Sequence, residues 1–151
     1  MTPLVRIQSE AIEIAVELSR LEDVADVGAV VTFTGLCRSE EGRLAALELE
    51  HYPAMAETEI TRIAEAASTR WPVTGLTVIH RYGRLTPGEA IVLVAAASAH
   101  RDAAFEAARY LMDYLKTRAP VWKREHLADG SVGDWVEARQ ADDEAAARWG
   151  V

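Results

Sequence analysis

The chain has 151 residues, a single cysteine, Cys37, and a formal net charge of −8. That length fits one domain spanning residues 1–151 and buries a core without disulfide staples. The acidic balance excludes a general nucleic-acid binder, whose footprint is basic, and the longest apolar run, Ala90 to Ala97, is too short to span a bilayer.

The elements follow in chain order. The N-terminus, MTPLVRIQSEAIEI, carries Glu10 and Glu13 and does not read as a signal peptide. With the lone thiol, it points to a reducing, cytoplasmic location. Val5 to Gln8 is a candidate strand. Ser9 is placed to cap a helix over Glu10–Leu21, with Ile12, Ala15, Val16 and Leu18 as its apolar face. The β-branched run GAVVTFTG, Gly28 to Gly35, predicts a strand. Leu44 to His51 alternates, with Leu47 and Leu49 on one face and Glu48 and Glu50 on the other. Ala54 to Arg70 reads as an amphipathic helix through Ile60, Ile63, Ala64 and Ala67, stopped by Pro72.

Leu76 to Tyr82 predicts a strand. Thr86-Pro87-Gly88-Glu89 has Pro and Gly where a type II turn needs them, so Ile91 to Ala97 returns as an antiparallel partner. Asp102 to Thr117 is a helix burying Ala104, Ala108, Leu111 and Leu115, ended by Pro120. Val121–His126 and Trp135–Ala138 read as late strands about a Gly130–Gly133 turn, and Ala141–Trp149 as a short final helix. Antiparallel hairpins with two long packed helices make the fold class α+β.

Two segments hold candidate chemistry. Ser98-Ala99-His100-Arg101 joins a buried strand to a helix N-terminus, where free N–H groups favour anions and His100 and Arg101 add donors. From these four residues alone the commoner reading is a Ser98 cap beside solvated neighbours. Lys116 to Glu125, KTRAPVWKRE, sets Lys116 and Arg118 at a helix C-terminus, where cations also merely complement the dipole. Alternation then puts Val121, Lys123 and Glu125 on one strand face and Trp122, Arg124 and His126 on the other. So many polar groups mark either an exposed edge or a polar cleft. Lysines among other cations lose protons more readily and can act as acid, base or nucleophile. His51 and His80 read as structural. No zinc signature, P-loop, GxSxG or GxGxxG occurs, and no metal or cofactor is expected.

One set of segments resembles a known family. These are GAVVTFTG followed by Arg38, LELEHYPAM at Leu47–Met55, RWP at Arg70–Pro72 and VIHRYGRLTPGE at Val78–Glu89. SAHRDAAFEA at Ser98–Ala107, MDYLKTRAPVWKRE at Met112–Glu125 and WVEAR at Trp135–Arg139 complete it. In this collinear order, from about Gly28 onward, the chain resembles the large, catalytic subunit of molybdopterin synthase; the first 27 residues match weakly. The resemblance implies an α/β-hammerhead type of α+β fold and a homodimer. Each copy would bind a small ubiquitin-like sulfur-carrier subunit, giving a heterotetramer. It implies transfer of two sulfurs from the carrier's C-terminal thiocarboxylate to cyclic pyranopterin monophosphate, forming the dithiolene of molybdopterin. Lys116 and Lys123 take the catalytic positions. Arg38, His100, Arg101, Arg124 and Glu125 fall at substrate-site positions together with both lysines, and Leu36 and Cys37 flank Arg38. The alternatives are a non-catalytic module holding a phosphorylated small molecule and a structural interaction protein.

Overall fold

The longest β-branched and alanine-rich runs pair with each other. Val73–Arg81 (β4) and Ala90–Ser98 (β6) form an antiparallel pair at the centre of a four-stranded sheet. Ala29–Leu36 (β2) adds antiparallel to β6, and Leu4–Gln8 (β1) adds parallel to β4, giving the order β1-β4-β6-β2. A second sheet has Leu44–His51 (β3) between the short Gly83–Leu85 (β5) and Val121–Leu127 (β7). The helices are Ile14–Glu22 (α1), Pro53–Arg70 (α2) and Arg101–Thr117 (α3). This computed structural model describes residues 1–117 and 121–137.

The core lies between the four-stranded sheet and the α2–α3 layer. Ile60, Ile63 and Leu111 are fully enclosed with Val78 and Val94. On the opposite face Leu21 of α1 packs against Ala95 and Ala97, whose small side chains let the helix approach closely. Two mostly antiparallel sheets with segregated helices make an α+β fold, as the sequence predicts. Among the described residues no helix is long and apolar enough to cross a membrane.

Several boundaries differ from the sequence expectations. Helix α1 begins at Ile14 and not at Glu10, because Gln8 Nε2 donates to the carbonyls of Glu10 and Ala11, at 3.0 and 3.2 Å, and holds that segment as a loop. Ser9 therefore caps nothing; its carbonyl accepts from Arg81 Nη2 at 2.8 Å. The expected strand at Trp135 reduces to isolated bridges, Val132 with His126 and Val136 with Lys123. Between them the Gly133 N–H turns to the Glu125 carbonyl at 2.9 Å. Ala138, the Ala141–Trp149 helix and Arg118–Pro120 lie outside the described residues. The type II turn is present: Gly88 has φ +95°, and Glu89 N–H donates to the Thr86 carbonyl at 3.1 Å.

The path of the chain decides where the polar groups fall. Strand β6 ends at Ser98, and α3 starts three residues later and packs back over β6 and β2. Its N-terminus stands at the Ser98 end of the sheet and its C-terminus at the Ala90 end. Because Ala29 pairs with Ser98 and Leu36 with Ala90, β2 delivers Leu36–Arg38 to the same end as Lys116.

Candidate active site

The alternation predicted for β7 holds, and it divides the strand's charges. On one face Arg124 donates to Glu48 Oε1 through Nη2 at 2.8 Å and Nε at 3.3 Å, and His126 Nε2 meets the same oxygen at 2.9 Å. The Arg124 guanidinium also lies 4.5 Å from the Trp135 ring centroid, so it is fixed between a carboxylate and an indole. Arg124 and then His126 hold the Glu48 carboxyl below the usual carboxylate range.

On the other face stand Lys123 and Glu125, paired across β3 with Leu49 and Leu47. Lys123 exchanges both backbone hydrogen bonds with Val136, at 3.0 and 2.8 Å, which closes the chain over this end of the sheet. Glu125 accepts from Arg43 Nη2 at 3.0 Å, and the same guanidinium bonds Glu40. Arg43 is the main reason that the Glu40 carboxyl titrates low; Arg38 and Lys123 add to it, which places both cations within electrostatic reach of Glu40.

At the end of β2 the side chains alternate outward and inward. Leu36 and Arg38 are exposed and Cys37 is buried. The Cys37 N–H donates to the Glu89 carbonyl and its own carbonyl accepts from Gly88, each at 2.9 Å, while Sγ lies 3.7 Å from the Leu85 carbonyl. Burial pushes the thiol's pKa up, and the Glu89 and Glu40 charges push the same way. A neutral, enclosed thiol is a poor nucleophile.

Lys116 is exposed on the last turn of α3. Its charge disfavours protonation of His80, which sits beneath this end of the helix on β4. His80 and His51 are buried, with ring centroids 4.7 Å apart. His51 Nε2 and His80 Nδ1 both donate to the Arg81 carbonyl, at 3.2 and 3.0 Å, tying β3 to β4. They are structural, as the sequence predicts.

His100 and Arg101 are exposed at the opposite end of α3. Their turn is set by Ser98, whose Oγ donates to the Pro72 carbonyl at 2.9 Å and accepts from His100 N–H at 3.4 Å. Gly28 packs under it: a Cβ at that position would meet the Ala99 carbonyl oxygen at 2.2 Å. Along α3 the rise from Arg101 to Lys116 is about 22 Å. Within one protomer the structure gathers Leu36–Arg38, Lys116 and Lys123–Glu125 at one end of the fold and leaves His100 and Arg101 at the other.

Sequence reasoning passed over Glu40, Arg43 and Glu48, the groups that hold Glu125 and Arg124 in place. Glu48 was legible as the acid facing outward on an alternating strand, but its cross-strand partners depend on register. Glu40 and Arg43, three residues apart in a loop, look like ordinary surface charge.

The scaffold is an α+β protein whose candidate residues Arg38, Lys116 and Lys123 fall at one end of the fold. Residues 7–118 match the protein family described as MoaE protein. A molybdopterin synthase catalytic subunit of Mesorhizobium japonicum is 64% identical over 150 residues, covering 99% of this chain and 94% of that protein. Among solved structures, a molybdopterin biosynthesis MoaE protein from Burkholderia ambifaria is 43% identical with TM-score 0.85, covering 99% of both chains. A molybdopterin synthase structure from Staphylococcus aureus is 32% identical with TM-score 0.79, covering 86% of this chain and 94% of that one. The chain belongs to the MoaE family. The family match begins well before Gly28, so the N-terminal segment shares the likeness that its sequence motifs alone did not disclose.

Proposed function

We propose that this chain is the catalytic subunit of a cytoplasmic molybdopterin synthase, a single domain over residues 1–151. It adds two sulfurs to cyclic pyranopterin monophosphate, each taken from the C-terminal thiocarboxylate of a small ubiquitin-like carrier that leaves as a carboxylate. The observation that carries this reading is the gathering of Lys116, Lys123 and Arg38 at one end of the fold, in a chain so close to named catalytic subunits.

Both reactants are anions that must meet. An exposed Lys116 at the helix end is placed to receive the carrier's terminus, to move protons and to stabilise the acyl-thio intermediate. Lys123, on the strand opposite, assists loss of oxygen from the substrate side chain. Arg38, in the loop after β2, donates hydrogen bonds to the substrate's phosphate, flanked by Leu36 and by the buried Cys37. Glu125, held by Arg43, stands on the same face of β7 as Lys123, and Arg124, held by Glu48, on the other.

The distance along α3 means that His100 and Arg101 serve a site only if a second copy brings them. A homodimer does this by simple geometry. Strand β2 is a sheet edge with Phe33 exposed, and α3 beside it exposes Phe105. A two-fold axis through the middle of that flank runs β2 and α3 antiparallel to their copies, setting Arg101 of one protomer beside Lys116 of the other. With one carrier per protomer the assembly is a heterotetramer.

Charge-preserving changes test the reading. Lys116→Arg and Lys123→Arg, assayed for dithiolene formation with thiocarboxylated carrier, should each fail, because arginine cannot exchange a proton near neutral pH. Full activity in both would reduce the lysines to surface charge.

A further inference from the structure

The loop between β2 and β3 carries an arrangement that the reaction chemistry does not by itself require. Glu40 and Glu41 hold left-handed φ values of +51° and +60°, followed by Gly42 at +86°. Non-glycine residues occupy that region at a cost and need surrounding structure to keep them there. Arg43 supplies it. Its N–H donates to the Glu40 carbonyl at 3.2 Å, its carbonyl accepts from Ala128 at 2.8 Å, and its guanidinium bridges the carboxylates of Glu40 and Glu125.

Those two carboxylates stand among the cations of the site. Glu125 is two residues from Lys123 on the same face of β7, and Glu40 lies within electrostatic reach of Lys123 and Arg38. Left unmasked, both would repel a phosphate and a thiocarboxylate. We propose that Arg43 is a positioning residue that masks Glu40 and Glu125, so that anionic substrate can approach Arg38 and Lys123. This rests on the functional reading above. Arg43 is half-exposed, and an ion pair so placed adds little to stability. Its consequence is therefore the charge that an incoming anion meets.

The test is steady-state synthesis of dithiolene from cyclic pyranopterin monophosphate with thiocarboxylated carrier. Arg43→Ala should raise the KM for the pterin about fivefold, the scale of one unit charge a few ångströms away in a watery site, and leave kcat within about twofold. Arg43→Lys should recover most of the loss. Adding Glu40→Gln to Arg43→Ala should bring KM back towards wild type, which a purely structural role for Arg43 would not do. Glu40→Gln alone keeps the Arg43–Glu125 bridge and should lower KM or leave it unchanged. An unaltered KM in Arg43→Ala, a loss that Glu40→Gln fails to reverse, or a raised KM in Glu40→Gln alone overturns the proposal. Absence of product from the wild-type chain would instead overturn the functional reading.

Discussion

His51 and His80 meet edge to face, 4.7 Å between ring centroids, and both donate to the one carbonyl of Arg81. A carbonyl only accepts, so both contacting nitrogens carry hydrogen, and His51 Nδ1 is left buried with no hydrogen-bond partner among the described residues. A second proton would charge a ring cut off from water, which burial disfavours. Burial, with His51 alongside, takes the His80 pKa down to about 3, and burial lowers His51 as well.

Stability should accordingly depend on pH well above the carboxylate range. The unfolded chain protonates both histidines near pH 6.5, whereas in the folded protein His80 stays neutral down to about pH 3 and burial holds His51 below its ordinary range. The stabilisation is complete above about pH 6.5 and is lost progressively as pH falls. Thermal melts should show a declining melting temperature between pH 6.5 and 4.5, before the low-titrating carboxylates Glu40, Glu48 and Glu89 contribute. His80→Leu should flatten that decline even if it lowers the melting temperature throughout. An unchanged slope would contradict the account of the pair.

Removing the lysine at the end of α3 separates chemistry from folding. Lys116→Ala should abolish dithiolene formation while shifting stability by less than about 1 kcal/mol, because an exposed helix-end cation contributes only a dipole term. Lys123→Ala should also lower turnover severely. Activity assays beside circular-dichroism melts check both, and near-normal turnover in folded Lys116→Ala would remove it from the mechanism.

If the site is shared between copies, two inactive subunits should rescue one another. Lys116→Ala and His100→Ala, each impaired alone, should regain about a quarter of wild-type activity when unfolded together and refolded as a mixture. Half the dimers are then hybrids, and each hybrid has one intact site. The readout is product formed per total protein. No recovery, with hybrids demonstrated by native mass spectrometry, would place His100 and Lys116 in separate roles.

The buried thiol should be dispensable. Cys37 is enclosed and its pKa is raised, and no second cysteine in the chain can resolve a persulfide. Cys37→Ser should retain most activity when thiocarboxylated carrier is supplied. A folded, carrier-binding Cys37→Ser variant without activity would give the thiol a chemical part that this account denies.

Local periodicity reveals some of this architecture and is silent on the rest. Strand β3 is legible from Leu44 to His51 because its leucines alternate with acids, and α3 is legible because Ala104, Ala108, Leu111 and Leu115 recur at helical spacing. The parallel pairing of β1 with β4 is not, since alternation says which face is buried and nothing about the neighbour. Strand β5 is three residues long and shows no period at all. At the site, the cations could be named one by one, and their division into two ends was already implicit in the length of α3. The groups that hold Arg124 and Glu125 were hidden, because Glu48 meets Arg124 and His126 only through strand register, and Arg43 meets Glu125 only across a loop.

Sulfur transfer from a partner's thiocarboxylate onto a pterin is what separates the proposed synthase from a pterin-binding module. Mass spectrometry of the pterin product after mixing the wild-type chain with cyclic pyranopterin monophosphate and thiocarboxylated carrier tests it most directly. The product should carry two added sulfurs, and none should form when the carrier ends in a plain carboxylate. A sulfur-free pterin in the first reaction, with the carrier bound and both proteins folded, would contradict it.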